Sequence, residues 1–190
     1  MSLDLATCSD SELAALTLGG RQNAFAEIMA RHEAPLFRLI RGHVGDADTA
    51  LDLTQDSFIA AYRALAQYDQ ARPLRSWLVR IAINKCRDRA RRRAVRGLLS
   101  FARPLDAAIN ETVADSAPNA EQQLGDAREL DRLWAAIATL PGNLKEPLLL
   151  RTVEELSQRE TAQVLAISEK AVETRVHRAR KQLEKIMHAG

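Results

Sequence analysis

The chain has 190 residues, enough for one domain or for two small ones with buried cores. Hydrophobic residues make up 46% of it, but glycine and proline number only 8 and 6. Strong helix formers therefore dominate, and we expect an all-α fold. The formal net charge of +2 conceals a segregation of charge along the chain.

Basic residues are concentrated in two segments. Residues 72–96 contain ten of them against a single acid, and residues 170–185 contain six against two acids, whereas the rest of the chain is acidic. Lys and Arg gain affinity for phosphates by releasing counterions, so two basic segments on an acidic protein indicate two contacts with a nucleic acid. A solvated helix face is the alternative for either segment alone.

Export, membrane insertion and metal binding are not expected. The amino terminus has acids where a secretory signal would have basic residues, and no apolar run approaches membrane-spanning length. Cys8 and Cys86 are far apart and form no metal-ligand spacing, which favours reduced thiols in a cytoplasmic protein. The four histidines are scattered without matching carboxylates or thiols, so neither a metal nor a cofactor is predicted.

Three helices are predicted in the first half, over residues 22–43, over residues 47–65, and from Leu74 into the first basic segment. Asp46 or Asp48 is placed to cap the second helix. Residues 68–73 read as a loop before the third.

The second half begins with a break in the pattern. Residues 97–120 mix Gly, Ser, Pro, Ala, Asn and Asp without sustained periodicity, which is typical of a linker. Apolar spacing then predicts four helices. Ser157 and Glu160 form a capping box for the third of these, and Ser168 caps the fourth.

This pattern predicts two small helical domains joined by a flexible linker. The amino-terminal domain is expected over residues 1–96, the linker over 97–120 and the carboxyl-terminal domain over 121–190.

The last two predicted helices, joined by a tight turn around Ile167, have the spacing of a helix-turn-helix. An ordinary helical hairpin fits that spacing equally well, but the basic residues favour DNA in the major groove. The side chains expected on the reading face of the second helix are Ser168, Lys170, Ala171, Thr174, Arg175 and Arg178.

Residues 162–183, AQVLAISEKAVETRVHRARKQL, resemble the carboxyl-terminal DNA-reading domain of extracytoplasmic-function sigma factors. The resemblance implies that this helix reads the −35 promoter element as duplex. The sequence departs from the family pattern at Ala166, at Lys170-Ala171 and at Glu173, where the family often has Gly, Gly-Thr and Lys. These departures touch the reading face, so the upstream promoter sequence is not transferable from a relative.

Residues 75–89, RSWLVRIAINKCRDR, resemble the promoter-melting helix of the same family. The resemblance implies contact with the −10 element, with an extruded base held by the loop at about residues 67–75. Arginines suit backbone phosphates and asparagine suits a base edge, whereas Trp77 is nearly as well explained as a core residue. The implied contacts are Arg75, Trp77, Arg80, Asn84, Arg87 and Arg91.

Residues 52–58, DLTQDSF, resemble the family's Asp-Leu-x-Gln-Glu-x-Phe helix, which grips a coiled coil of the polymerase's large subunit. Spacings of three and four place the relevant residues on one helix face, where charge gives orientation and apolar contact gives affinity. A solvated face is the alternative. The implied polymerase contacts are Asp52, Gln55, Asp56 and Ile59.

Taken together, the resemblance implies a non-catalytic sigma factor that binds core RNA polymerase, directs promoter-specific initiation in response to a signal or stress, and is held by an anti-sigma factor. A stand-alone helix-turn-helix regulator is the first alternative and predicts tight operator binding without polymerase. An enzyme is disfavoured because no nucleophile–base pair, phosphate-binding glycine loop or metal cluster is recognisable. A helical adaptor leaves both basic segments unexplained.

Overall fold

The computed structural model describes residues 4–100 and 121–188, with side chains described for 4–96 and 128–188. All regular secondary structure within these ranges is helical, as the composition predicts. The α-helices are α1 (Asp10–Leu18), α2 (Gln22–Val44), α3 (Ala47–Ala64), α4 (Leu74–Ser100), α5 (Glu121–Thr139), α6 (Gly142–Thr152), α7 (Gln158–Leu165) and α8 (Glu169–His188). Short 3-10 helices lie at Leu5–Thr7 and Leu65–Gln67.

Helix α1 is not among the predicted helices, although the sequence carries a signal for it. The Ser9 hydroxyl accepts a bond from the Glu12 amide at 3.3 Å, and Glu12 Oε2 accepts one from the Ser9 amide at 2.7 Å. This capping box satisfies two backbone amides that the first helical turn leaves free. The apolar residues of this nine-residue helix do not lie on a single face, so the capping box is its main sequence signal.

Arg31 of α2 fixes the segment before α1. Its guanidinium donates to the backbone carbonyls of Leu5, Ala6 and Cys8 at 3.1, 2.9 and 2.7 Å, and it pairs with Asp10 at 3.3 Å. A guanidinium has five N–H donors in a fixed fork, so one side chain can serve several carbonyls at once. The amino-terminal segment is therefore anchored on α2.

The amino-terminal core is formed where α2 packs against α1, α3 and α4. Phe25 meets Phe58 and Tyr62 edge-on, with ring centroids 6.5 and 5.0 Å apart, in the geometry that aromatic quadrupoles favour. The largest fully buried apolar residues there are Leu13, Ile28, Leu39, Ile40, Leu65, Leu78 and Val79.

The connection from α2 to α4 follows the predicted pattern. Gly45 ends α2 at φ 84, and the Asp46 carboxylate accepts a bond from the Thr49 amide at 2.8 Å, which makes it the cap of α3. Helix α4 continues to Ser100, into the first four residues of the predicted linker. Residues 101–120, the remainder of that linker, lie outside the described ranges.

The carboxyl-terminal helices match the four that were predicted. Ser157 and Glu160 form the expected capping box at the start of α7, with bonds of 2.8 and 3.2 Å. The Ser168 hydroxyl accepts from the Ala171 amide at 3.1 Å and caps α8. The apolar stripe of α8 faces inward against α6, as its spacing indicates.

The two predicted domains pack against each other. Helix α2 contacts α5 and α6, and α4 contacts α7. Ile137, Leu149 and Leu150 belong to the same buried cluster as the amino-terminal core. This contact places the first basic segment against the carboxyl-terminal helices.

Candidate nucleic-acid interface

The turn between α7 and α8 positions the second basic segment. Ala166 ends α7 in the left-handed region at φ 55, and its amide donates to Ala162 O. A left-handed residue reverses the chain sharply, so α8 starts only three residues later, at Glu169. The predicted helix-turn-helix is therefore present in the structure.

Helix α8 has one buried face and one free face. Val172 and Ala179 are buried, while Lys170 and Arg178 are exposed and Arg175 is half-buried. Thr174 donates to the Lys170 carbonyl at 2.9 Å, and Lys170 pairs with Glu173 at the same distance. Both bonds lie within α8, so they leave its outer surface open to a partner.

Helix α4 carries the predicted −10 contacts, and three of them bond to α6, to α7 or to the loop between them. Arg87 pairs with Glu146 of α6, with Nη2 and Oε2 2.5 Å apart. Arg75 pairs with Glu154 at 2.9 Å. Arg80 donates to the backbone carbonyl of Gln163 at 2.9 Å. The other three predicted contacts are half-buried Trp77 and exposed Asn84 and Arg91.

A cavity of about 710 Å³ lies beside Trp77. The loop after α3 forms one wall, and its shape is fixed by Tyr68, whose hydroxyl donates to the Arg72 carbonyl at 2.5 Å. The Tyr68 and Trp77 rings lie 5.3 Å apart, so Trp77 both packs on the loop and lines the cavity. On the opposite side, Glu160 and Gln163 of α7 complete the lining.

Helix α3 presents the predicted polymerase face to solvent. Asp52, Gln55, Asp56 and Ile59 are all exposed. Leu51 and Tyr62, each 47% exposed, are two further apolar side chains on the exposed part of this helix, and neither is among the predicted polymerase contacts. Their helical spacing from Gln55 and Ile59 is the signal that could have identified them.

A second groove follows the far end of α4. It has a volume of about 390 Å³ and combines the acid Asp56 of α3 with a row of cations on α4. Those cations are Lys85, Arg89, Arg92, Arg93 and Arg96. The groove continues the basic surface of α4 beyond the residues that the family resemblance implicates.

Glu146 is a buried carboxylate at the contact between the helical groups, and its side chain is only 7% exposed. Burial alone raises its pKa, but hydrogen bonds and charge from Arg87 and His43 outweigh burial and bring the pKa to about 2. Beside it, burial lowers the pKa of Lys145, whose ammonium donates to the carbonyls of His43 and Ala138 at 2.9 and 2.6 Å. Burial also raises the pKa of the Cys86 thiol to about 12.

Among the side chains of residues 4–96 and 128–188, no cluster of three or more His, Cys, Asp or Glu is arranged to hold a metal ion. Over the same part of the chain, no helix combines the length and hydropathy needed to cross a membrane.

Two family models match the two helical groups. Residues 28–96 match Sigma-70 region 2, which contains the α3 and α4 surfaces. Residues 130–183 match Sigma-70, region 4, which contains the helix-turn-helix. The matches fall in the predicted order along the chain, with residues 97–129 between them.

Curated relatives extend the similarity to nearly the whole chain. RNA polymerase sigma factor CnrH of Cupriavidus metallidurans is 38% identical over 182 residues, with 95% of each protein covered. The ECF sigma factor SigM of Mycobacterium tuberculosis is 30% identical, covering 94% of this chain and 85% of the relative.

Solved structures agree with the fold. The structure of CnrH in complex with the cytosolic domain of CnrY matches with a TM-score of 0.68 at 32% identity, covering 95% of this chain and 97% of that one. The sigma factor RpoE of Bartonella quintana, in complex with the anti-sigma factor NepR, has a TM-score of 0.67 at 20% identity and covers 86% and 96% of the two chains, which shows the fold alone. The chain belongs to the extracytoplasmic-function sigma factors of RNA polymerase.

Proposed function

We propose that this sigma factor binds core RNA polymerase through α3, captures the melted −10 element with α4, and reads the −35 element as duplex with α8. The observation that carries the proposal is the two-sided character of α8. Its inner face is buried through Val172 and Ala179, while Lys170 and Arg178 point away from the core. Such a helix can enter a major groove without losing its packing.

The −10 assignment is supported by the chemistry of α4 and its neighbouring loop. Arg80, Arg87 and Arg91 supply cations for backbone phosphates, and Asn84 supplies an amide for a base edge. The cavity beside Trp77 is of the size that takes a small planar group. An unpaired base needs a shaped, partly aromatic site of this kind.

The polymerase assignment is supported by the exposed edge of α3. Asp52 and Asp56 provide negative charge, and Ile59 with Leu51 provides apolar area on the same helix. Acids beside apolar side chains suit a basic helix of a partner.

The chain contributes binding rather than bond chemistry in this proposal, and it works in the cytoplasm, where polymerase and promoters are found. We further infer that an anti-sigma factor restrains it. CnrH was solved with the cytosolic domain of CnrY, and that similarity extends over 95% of this chain.

Run-off transcription with core polymerase on a library of promoters tests the proposal. Arg175→Ala and Arg178→Ala should reduce use of matched −35 elements by about tenfold, because a lost base or phosphate contact costs roughly 1–3 kcal/mol. Arg180→Ala is the matched control, since Arg180 is exposed on the same helix but outside the predicted reading face.

Two results would overturn the proposal. One is a chain that supports no initiation from any promoter with core polymerase. The other is equal promoter use by the Arg175, Arg178 and Arg180 variants. Tight binding to a duplex operator without polymerase would instead favour the stand-alone regulator.

A further inference from the structure

The −10 face of α4 is already occupied in the structure by the chain's own carboxyl-terminal helices. Glu146 and Glu154 pair with Arg87 and Arg75, and the Gln163 carbonyl accepts from Arg80. The two carboxylates are 7% and 1% exposed. Oxygen acceptors therefore sit on the same guanidinium groups that would hold promoter phosphates.

The contact also supplies one wall of the cavity beside Trp77. Gln163 and Glu160 of α7 stand across from the loop at Gln67–Pro73 and line the same space. Arg80 lines this cavity as well and donates to Gln163 O, so a strand that placed a base here would have to displace that bond from α7 to reach the guanidinium.

Glycines at the end of α2 allow the carboxyl-terminal helices to approach it closely. A Cβ at Gly42 would lie 2.5 Å from Leu149 Cδ2 and 2.9 Å from Trp134 Cζ3, both in the carboxyl-terminal helices. At Gly45 a Cβ would lie 2.7 Å from that of Ala138. Contacts this short would force Leu149, Trp134 or Ala138 to shift, and in a packed interior such a shift disturbs the contact between the helices.

Hydrogen bonds and ion pairs also cross this contact between the amino-terminal and carboxyl-terminal helices, which we call the seam. The Lys145 ammonium donates to the His43 carbonyl at the end of α2, and His43 Nε2 lies 3.5 Å from Glu146 Oε1. Lys145 and Glu146 are both buried. Buried charges that are paired and hydrogen-bonded define one arrangement, because a displaced partner leaves a charge uncompensated.

The other two functional faces remain open in this arrangement. Asp52 and Asp56 of α3 are exposed, and so are Lys170 and Arg178 of α8. The described bonds across the seam involve none of these four side chains. The masking is thus confined to the −10 face.

We propose that the free chain closes on itself and that Glu146 and Glu154 mask the −10 face by taking the place of promoter phosphates, while the polymerase face and the −35 face stay available. The inference rests on the proposed role of α4. Polymerase and the upstream element can then be engaged first, and reading of the −10 element requires the carboxyl-terminal helices to move off α4. This restraint is internal to the chain and acts separately from the anti-sigma factor inferred above.

Closure is tested by the distance between spin labels in the full-length protein. Labels at Glu33→Cys on α2 and Lys181→Cys on α8, both exposed sites, are introduced in a Cys8→Ser background, with Cys86 left buried. In the otherwise wild-type chain, the distribution of distances between the two labels should be narrow. Gly42→Leu should broaden and lengthen it, whereas Gly142→Ala should not, since a Cβ there meets only Glu146 Oε1 at 3.9 Å.

Masking is tested by affinity for the single-stranded nontemplate −10 sequence of a promoter selected in the run-off assay. Gly42→Leu and the double variant Glu146→Gln/Glu154→Gln should each bind this strand about tenfold more tightly than the wild type, because the closed population no longer competes. Affinity for the −35 duplex should be unchanged. Circular dichroism shows whether each variant retains its helices, and the two variants reach the same opening by different means.

The outcomes separate the two claims. A broad distance distribution in the free wild-type chain overturns closure, and an unchanged −10 affinity in opened, folded variants overturns masking. If Arg80→Ala and Arg87→Ala leave strand affinity unchanged in the Gly42→Leu background, the proposed role of α4 fails, and a narrow wild-type distance still supports closure.

Discussion

Arg87 of α4 and Glu146 of α6 form one of the ion pairs that join the two helical groups, with Nη2 and Oε2 2.5 Å apart. Glu146 is buried and Arg87 is half exposed. Loss of the pair would therefore leave Glu146 as an uncompensated buried charge, whereas water would still solvate Arg87.

This asymmetry predicts an acid-sensitive stability. The pKa of Glu146 is about 2 in the folded chain against an ordinary 4.5, so its contribution is complete above about pH 4.5 and is lost as the pH falls toward 2. Glu146→Gln should lower the free energy of unfolding by roughly 1–3 kcal/mol at pH 7, since water screens part of the pair. Urea unfolding from pH 7 to pH 3 should show the gap from wild type shrinking, whereas exposed Glu129→Gln should follow the wild type throughout. A gap independent of pH would contradict this account.

The turn of the helix-turn-helix is strained by its side chain. Ala166 has φ 55, a left-handed backbone conformation that costs an L-residue with a Cβ roughly 1–2 kcal/mol. Glycine avoids this strain, but its greater freedom in the unfolded chain offsets part of the gain. Ala166→Gly should therefore stabilise the protein by about 0.5–1 kcal/mol. Denaturant midpoints measure the effect, with Ala171→Gly inside α8 as the control that should destabilise by a similar amount. Destabilisation by Ala166→Gly would show that the turn is not strained.

The capping box of α7 holds the first helix of the same motif. Ser157→Ala should cost about 1 kcal/mol, because the Glu160 amide loses its acceptor. Ser157→Asp should restore most of that loss, since a carboxylate can accept the same bond and also suits the positive end of the helix. Thermal unfolding of the three proteins measures the order. Equal stability of the Ala and Asp variants would rule out the cap as the cause.

Polymerase binding should depend on the exposed edge of α3. Asp52→Lys and Leu51→Ala should each weaken association with core polymerase, the first by losing charge complementarity and the second by losing apolar contact. Asp69→Lys, which changes another exposed acid in the loop after α3, is the matched control for charge. Fluorescence titration should show losses of about tenfold for Asp52→Lys and severalfold for Leu51→Ala. Equal losses at Asp52 and Asp69 would point to net charge rather than to this face.

The two thiols should differ sharply in reactivity. Cys86 is 2% exposed and burial raises its pKa to about 12, whereas Cys8 is half-buried near the surface. Since the thiolate is the nucleophile, a disulfide reagent at pH 8 should label one thiol quickly and the second only on unfolding. Cys8→Ser should remove the fast phase. Fast labelling of Cys86 in the folded protein would contradict its burial.

Sequence patterns predicted most of the local structure. Asp46, Ser157 and Ser168 were identifiable as caps because a short polar side chain precedes an apolar helical pattern. Helix α1 was missed because its nine residues carry a cap without a clear apolar face. The predicted domain boundaries and site residues stay predictions, and the residues predicted to bind polymerase and promoter lie on α3, on α4 and along α8.

The contact between the helical groups could not be predicted from sequence. In the sequence, Glu146 and Glu154 look like ordinary surface acids, and Gly42 looks like a residue that lowers the helix propensity of α2. Their roles depend on partners 59, 79 and 107 positions away, Arg87, Arg75 and Leu149. Local periodicity holds no information about such pairs, because a helix pattern specifies which face is apolar but not what covers it.

The bare backbone at Gly42 has a genetic corollary. Every amino acid reachable from a glycine codon by one base change is bulkier than glycine, and each would bring at least a Cβ to within 2.5 Å of Leu149 Cδ2. A genetic screen for mutants that transcribe their target promoters without the inducing signal should therefore recover substitutions at Gly42 repeatedly, with several different replacement residues.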